Sequence, residues 1–255
     1  MPMQNMQDLP KPPGLPKPTA QPEPETAFAP LIAGLGFYPV VPDADWVARL
    51  LHWGVRTVQL RFKPVASETS SAATGADPAA NAAQVTRQVR AAVAAARAVP
   101  GAQLFINDHW RQAMAAGAYG VHLGQEDWAA LQPQERALLR HSGMRLGLST
   151  HTPQELQLAK SAQPSYLAIG PVYPTTLKAM PYAPVGLERL AEWMQLAAPF
   201  PVVAIGGISL ERLAGVVATG VNGAAVVSAV TQAEDPERAA RSGVRICAMG
   251  RHTPA

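Results

Sequence analysis

The chain has 255 residues, 48% hydrophobic and 15% charged, with a formal net charge of +3 and a pI near 9.2. That length builds one sizeable core, and scattered Lys and Arg without a basic stripe or aromatic RNA-binding signature argue against nucleic acid as a partner. A lone Cys247 excludes an internal disulfide framework. The opening lacks a secretory pattern and no uncharged apolar run reaches the ~18 residues of a membrane span, so a cytoplasmic protein with no membrane association is expected.

The first thirty residues hold nine prolines. Such a tract buries too little apolar surface to fold, so 1–30 reads as a disordered tail and 31–255 as a single domain. Beyond the tail, short apolar runs alternate with helix-length stretches. Strands are expected at 37–41 (FYPVV), 57–61 (TVQLR), 103–107 (QLFIN), 119–123 (YGVHL), 145–149 (RLGLS), 166–170 (YLAIG), 201–205 (PVVAI) and 224–228 (AAVVS). Ala-rich or amphipathic stretches between them, such as ADWVARLLHWG, HWRQAMAAG, TPQELQLAKSA and GLERLAEWMQLA, read as helices. A low-complexity stretch at 64–81 reads as an elongated loop insertion. Short strands that are apolar on both faces, each followed by a crossover, belong to a buried parallel sheet. Eight of them in about 220 residues predict a closed (β/α)₈ TIM barrel rather than an open sheet. A barrel of this kind carries its functional residues at the C-terminal ends of the strands.

The polar residues follow that demand. Gln59, Arg61 and Lys63 alternate at the end of the second strand and share one face. Asn107 and Asp108 close the third strand, and Asp127 follows the fourth beyond His122 and Gly124. Asp108 and Asp127 each follow a strand of one strand–helix–strand unit, so both carboxylates emerge at one edge of a parallel sheet. Such a pair suits a hard divalent cation, Mg²⁺, which keeps several waters and shares the rest of its shell with substrate phosphates. Ser149, Thr150 and His151 end the fifth strand; Pro174, Thr175, Thr176 and Lys178 follow the sixth. Gly206 and Gly207 precede a helix after the seventh strand, with Val227 and Ser228 after the eighth, the arrangement of a barrel phosphate site. Acidic and basic groups on one rim point to an enzyme acting on a diphosphate. Bland roles compete at some positions. His122 reads as a hydrogen-bonded barrel histidine, His151 as a neighbour of the helix cap Thr152 with Glu155 three residues on, and Trp110 and Trp128 as packing residues.

The pieces VRTVQLRFK, FINDHWRQA, AYGVHLGQEDW, LGLSTHTPQEL, SYLAIGPVYPTTLKAMPYAPVGL, VVAIGGISLERL and AAVVSAVTQA, from about Gly36 to Thr231, resemble the thiamine-phosphate synthase family in order and spacing. The resemblance implies a (β/α)₈ barrel that joins 4-amino-5-hydroxymethyl-2-methylpyrimidine diphosphate to a thiazole phosphate, releasing diphosphate and thiamine phosphate with Mg²⁺ by a dissociative route. It implies Mg²⁺ ligation by Asp108 and Asp127. Pyrimidine diphosphate binding falls to Gln59, Arg61, Lys63, Asn107, Ser149 and Lys178, with Arg61, Lys178 and Ser149 in catalytic roles. Thiazole phosphate binding falls to Thr175, Gly207, Val227 and Ser228. The family's Thr-x-Thr-Lys stands here as Thr175-Thr176-Leu177-Lys178, with an apolar side chain where a hydroxyl is expected. The alternatives are a metal-independent thiazole tautomerase on the same barrel and a non-catalytic barrel that binds thiazole or thiamine phosphate. The small-molecule substrates are the expected partners, and a homo-oligomer is left open.

Overall fold

The computed structural model describes residues 27–64, 78–175 and 182–250. In chain order the elements are β1 (Gly36–Val41), α1 (Ala44–His52), β2 (Thr57–Leu60), α2 (Pro78–Arg97), β3 (Gln103–Asn107), α3 (Trp110–Ala116), β4 (Gly120–Leu123), α4 (Gln125–Ala130), α5 (Pro133–His141), β5 (Arg145–Thr150), α6 (Pro153–Ser161), β6 (Tyr166–Ile169), α7 (Gly186–Ala197), β7 (Val202–Ile205), α8 (Leu210–Ala218), β8 (Gly223–Val226), α9 (Ser228–Thr231) and α10 (Pro236–Gly250). Each strand pairs in parallel with the next, and β1 pairs with β8, so the sheet closes into an eight-stranded barrel. The expected TIM barrel is the observed fold.

Alternation along the strands divides the core in two. Tyr38, Val40, Phe105, Tyr166, Ala168, Val203 and Ala225 pack against one another inside the barrel. The other set, including Val41, Leu60, Leu104, Ile106, Leu146 and Leu148, meets the helices in the larger outer core. Aromatic rings fit inside only where the neighbouring strand is bare: a Cβ at Gly147 would overlap the Tyr166 ring. Helices contribute faces at helical spacing. On α1 the buried residues are Ala44, Val47, Leu50 and Leu51, and Asp43 caps the helix by accepting the Trp46 N–H at 2.8 Å.

Strand ends shift by one or two residues from those expected, and three differences of boundary bear on the domain and its site. Residues 27–30, assigned to the tail, belong to the barrel domain. Phe28 is 4% exposed and meets the Trp128 ring edge-on at 6.0 Å, its N–H donates to Gln163 O, and Ser165 Oγ donates to Ala29 O at 2.7 Å. This strap crosses the end of the barrel where strands begin, where Arg145 Nε donates to Pro30 O. In the second case α2 begins at Pro78, inside the stretch 64–81 expected to be a loop, because Pro starts a helix without losing a hydrogen bond. The third concerns β8, which ends at Val226, so Val227 and Ser228 leave the strand and open α9. The helices α4, α5, α9 and α10 add to those read from the sequence.

Candidate active site

The charged rim is built at the ends of β2, β3 and β4. Asp108, just past β3, has φ 61°, in the left-handed region that Asp and Asn tolerate better than most residues. Its N–H donates to His122 O on β4 at 3.1 Å, and its carbonyl accepts the Trp110 N–H. The sharp turn presents the carboxylate to Lys63, whose Nζ lies 2.7 Å from Oδ2. Asp127 comes from the first turn of α4, where its carboxylate reaches back to the N–H of Gly124, the helix N-cap, as an N3 acid does in a capping box. It also hydrogen-bonds to Asp108. Burial, then the Asp108 charge, pushes the Asp127 carboxyl above its usual range, against the pull of the Gly124 N–H and Lys63. The two carboxylates separated by nineteen positions in sequence are thus neighbours. Among the described residues no three His, Cys, Asp or Glu side chains gather into a metal-holding group.

The three alternating residues Gln59, Arg61 and Lys63, the first in β2 and the other two just beyond it, lie at different depths. Gln59 is 4% exposed inside the barrel, whereas Arg61 and Lys63 are exposed at its mouth. Between them Phe62 turns into the outer core, and its carbonyl meets His109 Nε2 at 3.1 Å. Asn107, inward-facing and 9% exposed, pairs across the ladder with His122.

Below this rim lies a buried polar chain. Gln59 Nε2 donates to Tyr38 OH at 3.3 Å, and Tyr38 OH and Tyr166 OH are 2.9 Å apart. Tyr166 OH is 2.8 Å from His122 Nδ1, and His122 Nε2 is 2.8 Å from Ser149 Oγ. Burial pushes the His122 imidazole down to about 4, against the nearby Asp108 charge, so the ring is neutral at pH 7. Burial also raises both tyrosine hydroxyls well above their ordinary range.

The residues expected to bind the thiazole phosphate lie on the opposite rim. Gly206 and Gly207 have φ 101° and 64°, a conformation that L side chains rarely adopt. A Cβ at Gly207 would also come within 2.7 Å of Tyr173 Cβ, so glycine lets the segment leading to Thr175 pack directly on the end of β7. Val227 and Ser228, both partly exposed, stand at the start of α9. Lys178, with Thr176 and Leu177, lies outside the described residues. His151 sits where the sequence suggested: Thr152 Oγ1 caps α6 by accepting the Glu155 N–H, and Glu155 Oε2 accepts from the His151 backbone N–H and faces its Nδ1 at 2.8 Å. Trp110 and Trp128 are buried packing residues.

Sequence reasoning passed over Tyr38, Tyr166 and Tyr182. The two buried tyrosines share the inward phase of their strands with Val40 and Ala168, a signal readable from alternation once the barrel's phase is known. Tyr182 stacks on His151 at 4.7 Å and donates to Glu155 Oε1 at 2.9 Å. Its only trace in the sequence is an aromatic after a Pro-rich loop.

Comparison with known proteins bears on this site. The profile of a family described as thiamine monophosphate synthase matches residues 37–230. The chain is 47% identical to thiamine-phosphate synthase from Escherichia coli over 223 residues, covering 88% of this chain and 97% of that one. It is 48% identical to thiamine-phosphate synthase from Neisseria meningitidis over 210 residues, covering 82% and 93%. Among solved structures, thiamine phosphate pyrophosphorylase from Pyrococcus furiosus superposes with a TM-score of 0.69 at 28% identity, covering 85% of this chain and 97% of that one. A 3-hexulose-6-phosphate synthase, 14% identical with a TM-score of 0.54, shares the fold alone.

Proposed function

The chain belongs to the thiamine monophosphate synthase family, and from that premise we propose how its barrel mouth makes thiamine phosphate. In the reaction the C–O bond between the pyrimidine methylene and its diphosphate breaks, and the thiazole nitrogen forms the new C–N bond. Charge stabilisation and alignment matter more here than a strong base, because the leaving group departs with its negative charge already distributed.

The observation that carries this reading is the convergence of Lys63 with Asp108 and Asp127 at one rim. Arg61 and Lys63 oppose the charge of the diphosphate; the Lys63 side chain is 55% exposed, so its ammonium can serve phosphate oxygens as well as Asp108. The acidic pair fits a divalent cation: burial and then the Asp108 charge raise Asp127, and a hard cation offsets the repulsion between the two carboxylates. Asp108 and Asp127 would hold Mg²⁺, which when bound supplies charge compensation to the departing diphosphate. Asn107 and Ser149 near the strand ends, with Gln59 deeper inside the barrel, take the pyrimidine diphosphate in this reading, and Lys178 is assigned to the same diphosphate by resemblance. Thr175, Gly207, Val227 and Ser228 take the thiazole phosphate, using the close backbone approach that the glycines allow. The inward geometry favours a dry, electrostatically arranged site over acid–base catalysis, since the central His122 is buried and engaged at both nitrogens.

No helix among the described residues is long and apolar enough to cross a membrane; a cytoplasmic location and the lack of a nucleic-acid partner are part of the proposal. The test is a split in Michaelis constants. Lys63→Ala should impair kcat/KM for the pyrimidine diphosphate and spare the thiazole phosphate KM, and Ser228→Ala should do the reverse. Equal effects of each variant on both substrates would contradict the assignment of the two halves.

A further inference from the structure

The chain of hydrogen bonds from Gln59 to Ser149 crosses five strands: β2, β1, β6, β4 and β5. Its inner members are sealed, with Tyr38 and Tyr166 at 1% and 0% exposure and His122 at 6%. Both ends are polar residues assigned to the substrate. Such a chain has a direction. Each hydroxyl carries one proton to give, and a neutral imidazole carries one N–H, so a link facing the wrong way would leave a buried proton without an acceptor. Only two directions satisfy every member. In one, the Gln59 amide nitrogen donates to Tyr38, Tyr38 to Tyr166, Tyr166 to His122 Nδ1, and the Nε2–H of His122 to Ser149. The other runs backwards and needs the Gln59 carbonyl oxygen on Tyr38. Nε2 of Gln59 faces the Tyr38 hydroxyl, which selects the first.

We propose that Tyr38, Tyr166 and His122 are positioning residues that hold this direction, so that Ser149 accepts from His122 and turns its own hydroxyl proton toward the barrel mouth as a donor. Ser149 then serves a hydrogen-bond acceptor of the ligand, a ring nitrogen or a phosphate oxygen of the pyrimidine diphosphate. The same device couples the two ends. If the Gln59 amide turned over, every proton in the chain would reverse, and Ser149 would present an acceptor in place of a donor. The His122 ring lies 5.7 Å from that of Tyr166 at 24°, a stacked contact that keeps the imidazole in line for both bonds. The substrate assignment rests on the proposed function; the direction of the chain does not.

The test is ¹⁵N NMR of the histidine imidazoles in the full chain without ligand, together with steady-state kinetics. The wild type should show His122 as the Nε2-protonated tautomer at pH 7. Tyr166→Phe and Tyr38→Phe keep the rings but interrupt the chain, so each should give a mixture of His122 tautomers. Each should also lower kcat/KM for the pyrimidine diphosphate by roughly tenfold, the effect of one weakened hydrogen bond, with the thiazole phosphate KM unchanged. An Nδ1-protonated His122 in the wild type would overturn the proposal, and that measurement stands even if a variant fails to fold. Folded variants with an unchanged tautomer and unchanged kcat/KM would overturn it as well. A wild type that makes no thiamine phosphate would instead contradict the functional reading while leaving the tautomer result intact.

Discussion

Lys63 and Asp108, just beyond the ends of successive strands and 45 positions apart, meet at 2.7 Å because Asp108 adopts a left-handed backbone conformation at the end of β3. That one turn brings a basic residue that follows β2 and an acidic residue that follows β3 to the same point of the rim. Asp127 then joins them from α4, which makes the acidic pair sensitive to the loss of either member.

Asp108→Asn and Asp127→Asn should each reduce kcat by at least about a hundredfold, the scale expected when a charge-compensating group is lost. Asn tolerates the left-handed conformation, so Asp108→Asn should melt close to the wild type. The check pairs turnover across a Mg²⁺ titration with thermal melting. Near-normal turnover in either variant at saturating Mg²⁺ would mean that the carboxylates do not hold the metal.

Phe28 should matter to stability although it lies in a Pro-rich stretch. Phe28→Ala should destabilise by about 3 kcal/mol, from lost burial and the cavity left against Trp128. Deleting residues 1–29 should lower the melting temperature by at least as much as that point variant. A truncated protein as stable as the full chain would show that the strap contributes nothing.

His122 links stability to pH. Its folded value is pushed to about 4, below the ordinary 6.5, so between these limits the unfolded chain binds more protons than the folded one. The contribution of this group is complete above about pH 6.5 and is lost as pH falls toward 4, amounting to about 3 kcal/mol. Urea unfolding of wild type and His122→Gln at pH 7 and pH 4.5 isolates it. The wild type should lose more stability across that interval than the variant, and equal losses would place the histidine elsewhere than in a dry interior.

Much of this was legible in the sequence because a parallel barrel repeats one strong signal. Eight short apolar runs, each followed by a helix-length stretch, yielded strands whose ends fall within two residues of those observed. The acidic pair was legible for the same reason, since residues just past successive strands must share an edge. What escaped depends on tertiary phase. Tyr38 and Tyr166 look like ordinary strand aromatics until the register places them inside, next to bare positions such as Gly147. Asp127 reads as a strand-end residue, but its position is set by the helical turn that starts at Gly124. Phe28 was hidden by composition, because one buried ring among prolines leaves no period to detect.

The central claim is that this barrel condenses a pyrimidine diphosphate with a thiazole phosphate. Purified full-length chain, both substrates and Mg²⁺ should yield thiamine phosphate and diphosphate in equal amounts, and EDTA should stop the formation of both. Conversion of the thiazole phosphate alone, without Mg²⁺ and without diphosphate release, would contradict the account, as would binding of either phosphate with no product formed.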